Sequence, residues 1–295
     1  MTAPEFPDHE YLTVHELAAL LRLKERKIYD LAASGEVPCS RATGKLLFPA
    51  RDIRAWIEGA KSGGRAVQKP RPPIILGSHD PLLDWAARQS RCGLASFFDG
   101  SLDGLDRFAQ GAGIATGLHV RDAQSGDWNV PAVSARVDRQ NAVLIHFATR
   151  QRGLVLRDGG PRPDGLADIA GLRFVPRQPE SGSFGLLRDL AKEAGLNLDD
   201  VVMTAEARTE DEAVEAVRRG EADVTFGLAA VAGAFGLGFV PVIEEQFALL
   251  VDRKAWFEPG FQTLMAFCRS KPFHERAAQL GGYDVARLGE VLWNA

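Results

Sequence analysis

From residue 74 onward the sequence alternates between short apolar runs of strand length and amphipathic stretches of helix length, and few folds satisfy that pattern. Strands are predicted at 74–77, 93–98, 114–120 and 142–147, then at 173–176, 201–204, 222–226, 239–242 and 247–251. Helices are predicted from Leu82, over 102–110, 183–194, 211–219 and 228–235, and through 256–280. Repeated strand–helix alternation predicts an α/β fold with parallel sheets covered on both faces. A break in the pattern near 150–165 predicts two lobes.

The first 61 residues read differently. Thr13-Val14-His15-Glu16 is a capping box, flanked by Leu12 and Leu17 as a hydrophobic staple. Val14, Leu17, Ala18 and Leu21 repeat at helical spacing. After a break at Arg22-Leu23, a second helix is predicted over 24–34, with Ile28, Leu31 and Ala32 inward and Gly35 as its stop. Segments 37–41 and 45–48 flank Ala42-Thr43-Gly44 as a hairpin. Pro49 starts a third helix, with Ile53, Trp56 and Ile57 on one face. Charge separates along the same line. Residues 1–73 hold 12 Lys/Arg against 9 Asp/Glu, net +3, and the remainder 23 against 30, net −7. A basic head on an acidic body suggests that only the head meets a polyanion. Residues 62–73, SGGRAVQKPRPP, read as a linker, flexible at Gly-Gly and extended at KPRPP.

The order YLTVHELAALL, KERKIYDLAASGEVP, RATGKLLFPARDIRAWI resembles the excisionase-type and MerR-type DNA-binding domains. The resemblance covers 11–61 and implies an α+β winged helix-turn-helix on double-stranded DNA. In that family the second helix enters the major groove and the wing follows the backbone. Carried over, Lys24, Arg26, Lys27 and Tyr29 lie at the start of the recognition helix, and Arg41, Thr43 and Lys45 on the wing. Lysine and arginine can pair with phosphates or guanine edges.

The tracts IILGSHDPLLD, FFDGSLDGLDRFAQG, ATRQRGLVL, FVPRQPESGSFGLLRDL, EAVEAVRRGEADVTFG and QLGGYDVARLGEV resemble, in that order, the periplasmic-binding-protein-like domains related to molybdate-binding proteins. The resemblance implies a two-lobed type II fold over 74–295, with crossovers near 151–156 and 242–247 and a small-anion effector such as molybdate or tungstate in the cleft. The residues support an anion site separately. Ligands of open α/β sheets sit beyond the carboxyl ends of strands, where helix N-termini offer free amides and a positive dipole end. Four such edges carry glycine or small hydroxyl residues. They supply the candidates Ser78 and His79, Gly100 and Ser101, Ser181, Gly182 and Ser183, and Thr116, Gly117 and His119. Taken singly, each serine fits plain helix capping equally well. The tract 176–184 keeps Arg177, Gln178, Gly182 and the Ser183 hydroxyl of the group's pattern. It replaces the expected arginine by Phe184 and adds Glu180, which leaves a small carboxylate open as ligand.

Other classes are excluded. No apolar run approaches the ~20 residues of a membrane helix. The start, MTAPEFPDHEYLTVHE, lacks the basic and apolar regions of a secretory signal, so a cytoplasmic location is expected. Cys39, Cys92 and Cys268 are too scattered for a metal set or a disulfide framework, and no metal or other cofactor is expected. His79 and Asp80 are adjacent on a strand end and point opposite ways. No Gly-x-Ser-x-Gly, Walker loop or His-Glu-x-x-His occurs, so no enzyme is expected. The expectation is a one-component transcription regulator, a homodimer on two half-sites. The rival is a constitutive architectural DNA-binding protein with a vestigial cleft.

Overall fold

The computed structural model describes residues 9–41, 44–60, 70–179 and 181–295. Contacts divide the chain into two units, Met1–Lys69 and Pro70–Ala295.

In the first unit, β1 (Tyr11–Leu12) leads into α1 (Val14–Leu21) and α2 (Glu25–Ala33). Strand β2 (Phe48–Pro49) then leads into α3 (Ala50–Gly59). The capping box forms as the sequence predicts. Thr13 Oγ1 accepts from the Glu16 amide at 3.3 Å, and Glu16 Oε2 accepts from the Thr13 amide at 2.7 Å. Helix α1 stops because Arg22 turns left-handed, with φ of 55°. The Leu23 amide then bonds back to the Ala18 carbonyl at 2.9 Å, a closure that satisfies a terminal carbonyl and aims the chain into α2. Leu12, Leu17, Ile28, Leu31, Phe48 and Ile53 form the core of this helix-turn-helix unit.

The wing is smaller than predicted. Among the described residues the hairpin is one bridged pair, Ser40 and Leu47, joined by amide–carbonyl bonds of 2.7 and 2.9 Å. Phe48 and Pro49 pair instead with Leu12 and Tyr11, so the third helix begins at Ala50 and not at Pro49.

The second unit is built on a ten-stranded mixed sheet. Its first lobe carries β3 (Ile74–Gly77), α4 (Pro81–Ser90), β4 (Ala95–Phe98), α5 (Ser101–Ala109), β5 (Ala115–Leu118) and α6 (Val130–Val137). Its second carries β7 (Arg173–Val175), α7 (Gly182–Glu193), β8 (Val202–Met203), α8 (Glu210–Arg218), β9 (Val224–Leu228) and α9 (Ala229–Ala234). Two strands of 15 residues, β6 (Ala142–Leu156) and β10 (Gly238–Asp252), run through both lobes. Helices α10 (Arg253–Trp256), α11 (Pro259–Cys268) and α12 (Lys271–Leu280) return to the first lobe, and β11 (Tyr283–Asp284) and β12 (Val291–Asn294) add to β6.

The sheet order is β4-β3-β5-β10-β6-β9-β7-β8. Pairing is parallel within each lobe's αβ repeats and antiparallel where β10 and β6 join them. The sequence pattern thus misleads in two places. The sheet is not parallel throughout, and the expected break at 150–165 begins inside β6. The runs 239–242 and 247–251 are likewise halves of one strand, β10. Pro241 is tolerated there because this end of β10 pairs on one side alone, with β6. Helix α6 has no counterpart in the predicted elements.

Each lobe has its own core. Phe147, Phe247, Phe261 and Phe273 anchor one face of the first lobe, and Leu105, Phe108 and Leu118 the other. Phe174, Leu187, Leu190 and Phe226 anchor the second. Of the expected linker, residues 62–69 lie outside the described residues, whereas Arg71 is held firmly by the second unit. Its guanidinium donates to the Phe108 and Gly113 carbonyls at 2.5 and 3.1 Å, and it approaches Asp252 at 3.3 Å.

Candidate functional site

A close backbone approach puts helix α5 where it is. Gly77 ends β3 with φ of 101°, and Gly104 lies directly over it. A Cβ at Gly104 would fall 2.2 Å from the Gly77 Cα, and one at Gly77 would fall 2.1 Å from the Gly117 carbonyl oxygen. With no side chain on either, the first turn of α5 reaches the carboxyl ends of β3 and β5. Asp80 sets the neighbouring helix, its Oδ1 capping α4 through the Leu83 amide at 2.7 Å. In the second lobe Ser181 caps α7 through the Phe184 amide at 3.1 Å, and Thr209 caps α8 with Glu212 completing the box.

The N-termini of these four helices converge on one cleft of about 330 Å³ between the lobes. The first lobe lines it with Ser78, His79, Phe98, Asp99, Gly100 and His119. The second contributes Arg177, Gln178, Ser181, Gly182, Ser183, Arg208, Glu210 and Asp211, and β6 contributes Arg152. No side chain caps α5 at Gly100. Each N-terminus carries a partial positive charge and unpaired amides, so the cleft is suited to an anionic group. Ser183 is buried and its hydroxyl has no partner among the described residues. Arg177 donates to the Ala207 and Arg208 carbonyls at 3.2 and 2.7 Å. It has no carboxylate partner among the described residues, and burial lowers its pKa.

Behind this surface lies a buried ionic cluster seated on the two long strands. Arg150 donates to Asp80 at 2.8 Å and to Glu245, and stacks 4.3 Å over the Phe247 ring. Arg152 donates from Nε to Glu245 at 2.8 Å and from Nη1 to Glu210 at 3.2 Å. The Tyr283 hydroxyl donates to Asp80 at 2.6 Å. Burial alone would raise the Glu245 carboxyl, but Arg150 and Arg152 outweigh it and hold Glu245 well below the usual carboxylate range. Removing one member of such a cluster leaves an unpaired buried charge, a loss of about 3–5 kcal/mol. These two arginines are therefore committed to the protein, and an anion in the cleft must look to helix amides, hydroxyls and Arg177.

His119 joins the cluster to the cleft. It is 5% exposed. Its Nδ1 lies 3.0 Å from Glu245 Oε2, off the line of a hydrogen bond, so the contact is one of charge. Its Cε1–Nε2 edge faces Gly182 at the start of α7. Burial, against the pull of Glu245, pushes the imidazole below its ordinary pKa, and the ring is neutral.

Eight of the eleven residues singled out from sequence line the cleft: Ser78, His79, Gly100, His119, Arg177, Ser181, Gly182 and Ser183. Three do not. Ser101 is buried, with its Oγ 2.8 Å from Ser78 Oγ and accepting from the His119 amide at 3.1 Å, so it orients the lining without forming it. Thr116 is enclosed between Gly77 and Gly104, its hydroxyl unpartnered. Gly117 serves packing, because a Cβ there would fall 2.6 Å from the Phe247 ring. Sequence reasoning missed Arg150, Arg152, Glu245, Asp80 and Glu210. Two signals were present: arginines two residues apart inside AVLIHFATRQRGLVL, and an acidic pair inside VIEEQFALLV. Charges at i and i+2 of an apolar strand share one face and need buried partners.

In the first unit Lys24 stands at the N-cap of α2 and Arg26, Lys27 and Tyr29 on its exposed face, with Ile28 and Leu31 turned inward. Arg41 and Lys45 are exposed beside the bridged pair. Thr43 lies outside the described residues, as does Glu180 of the tract before α7.

Residues 83–269 match the PBP superfamily domain. This chain belongs to the PBP superfamily. Residues 11–61 match a helix-turn-helix domain. The uncharacterized protein YvgK of Bacillus subtilis is 26% identical over 95% of this chain and 97% of its own length. Among solved structures, a putative phosphate ABC transporter substrate-binding protein with bound phosphate, from Clostridium perfringens, superposes with a TM-score of 0.53. It is 12% identical and covers 72% of this chain and 98% of its own. A cysteine-to-serine mutant of Corynebacterium glutamicum OxyR, H2O2-bound, gives a TM-score of 0.50 at 11% identity, over 91% of this chain and 89% of that one. At such identities the likeness is one of fold. It agrees with the two-lobed PBP-superfamily architecture read from the sequence. No helix among the described residues is long and apolar enough to cross a membrane.

Proposed function

We propose that this chain is a cytoplasmic DNA-binding transcription regulator, acting as a homodimer, whose PBP-superfamily domain binds a small anion as effector. The observation that carries the reading is the convergence of four helix N-termini, from both lobes, on one cleft that also holds buried hydroxyl and imidazole groups. A ligand that touches both lobes favours the arrangement in which they meet, and only such a difference in affinity between arrangements can alter DNA binding. The effector is a small oxyanion, of which molybdate and tungstate are the members implied by family resemblance, or a small carboxylate. The DNA contacts are assigned to Lys24, Arg26, Lys27 and Tyr29 on α2 and to Arg41, Thr43 and Lys45 about the wing.

The experiment has two parts, both on the full-length chain. Thermal melts against a panel of oxyanions and small carboxylates should show stabilisation of about 2.7 kcal/mol at 100 times the dissociation constant of a true ligand. Duplex DNA titrated at several salt concentrations should give a log–log slope that falls by about one for each phosphate no longer neutralised, including in the Arg26→Ala/Lys27→Ala protein. DNA binding with no response to any anion would leave the constitutive architectural reading in its place.

A further inference from the structure

The chemistry of His119 narrows the ligand further, on the reading that the cleft binds an anion. Neutral imidazole has one N–H and one bare lone pair, and its surroundings decide which nitrogen has which. At His119 the two nitrogens meet opposite environments. Nδ1 is sealed from solvent, 3.0 Å from the Glu245 carboxylate. A lone pair there would face a carboxylate oxygen at contact distance, which is repulsive, so the proton belongs on Nδ1 even though the bond to Glu245 is bent. Nε2 is then bare. That edge of the ring faces Gly182 and the cleft.

The surroundings keep the ring from gaining a second proton. From β6, Arg150 and Arg152 add positive charge close by, and they oppose an imidazolium. From β10, Glu245 favours one, but it is already held by both arginines, and Phe247 supplies an apolar ring 6.3 Å away. From α5, Ser101 Oγ accepts the His119 backbone amide. From α7, Gly182 offers the N-terminus of a helix, which also disfavours a cation.

We propose that His119 presents an acceptor to an otherwise donor-lined cleft, and so selects an anion that still carries an O–H beside its charged oxygens. The class includes monoprotonated oxyanions of the hydrogen phosphate type and small hydroxy acids. It excludes fully deprotonated oxyanions such as sulfate and molybdate, and plain carboxylates such as acetate. An anion of the favoured class lays its charged oxygens against the amides of α5 and α7 and donates its hydroxyl hydrogen to Nε2. An anion without that hydrogen sets an oxygen against the lone pair, and a buried acceptor without a donor is costly.

Two pairs of isosteric probes test this on the full-length chain, by calorimetric titration at about pH 8, where inorganic phosphate is chiefly the monoprotonated dianion. Phosphate is compared with sulfate, and glycolate with acetate. Within at least one pair the O–H-bearing member should bind tighter by about tenfold or more. The pair that responds shows whether the hydroxyl belongs to an oxyanion or to a hydroxy acid. In His119→Gln, whose amide can turn either way, the preference should shrink to within about threefold. The wild-type comparison alone decides the matter if that variant does not fold. Equal binding within every pair that binds overturns the inference while leaving the anion cleft standing. So does sulfate affinity that rises about tenfold for each unit of falling pH, since the ring would then be donating as an imidazolium. No binding of any probe or of molybdate overturns the cleft reading and this inference with it.

Discussion

Thr116 shows how a residue chosen for its ligand chemistry can instead be a packing residue with a flaw. Its side chain is fully buried and its hydroxyl has no partner. A buried hydroxyl without a hydrogen bond costs about 1–3 kcal/mol relative to one that is satisfied. Thr116→Val keeps the branched shape that fits between Gly77 and Gly104 and removes the stranded oxygen. We expect it to leave stability unchanged or raise it by up to about 1 kcal/mol, read as the midpoint of urea unfolding. Anion affinity should be unaltered, because Thr116 does not line the cleft. A clear loss of stability would show that the hydroxyl is satisfied after all.

At the scale of elements the decisive contact is α5 against β3. Replacing a glycine inside an exposed helix by alanine ordinarily gains up to about 1 kcal/mol of helix propensity. At Gly104 the sign should reverse, because the new methyl would fall on the backbone of Gly77 and not on a movable side chain. Gly104→Ala is expected to cost about 3 kcal/mol and to weaken anion binding as well, since α5 must withdraw from the cleft. Unfolding and anion titration of the same variant would check both. The elements themselves were largely legible in the sequence. Capping boxes, apolar spacing and glycine stops depend on neighbours a few residues apart, and α1, α2, α4 and α5 stand close to where those signals put them. The long strands were not legible. Arg150, Arg152 and Glu245 read as the polar ends of short strands, yet each is buried, because its partner lies 93 or 95 residues away in sequence. The candidate site divides in the same way. The lining at the helix starts follows from local sequence, whereas the ionic cluster beneath it depends on pairings that periodicity does not register.

For the molecule as a whole, the buried imidazoles set the response to acid. Burial lowers the pKa of both His119 and His146 from 6.5. Below that value the unfolded chain takes up protons that the folded chain refuses, so stability falls as pH falls. Glu245 acts in the same direction at lower pH. Its folded pKa is depressed, so its contribution persists above the unfolded value and is lost only as pH drops through the much lower folded one. The melting temperature of the full chain should therefore decline from pH 7 to about pH 5, before carboxylate protonation takes over. A flat profile over that range would mean that both rings accept a proton in place.

The path of the chain through β6 and β10 also bears on the order of synthesis. The second lobe lies wholly between them, and its ends meet where Leu156 pairs with Gly238. It is thus one uninterrupted stretch of polypeptide. The first lobe is split: its opening strands emerge early, but β5 needs β10, and β6 needs the returning strand β12, near the end of the chain. On the ribosome the lobe made second is the one able to fold first. The lobe begun first waits, with β5 unpaired on one side, until nearly the last codon has been read.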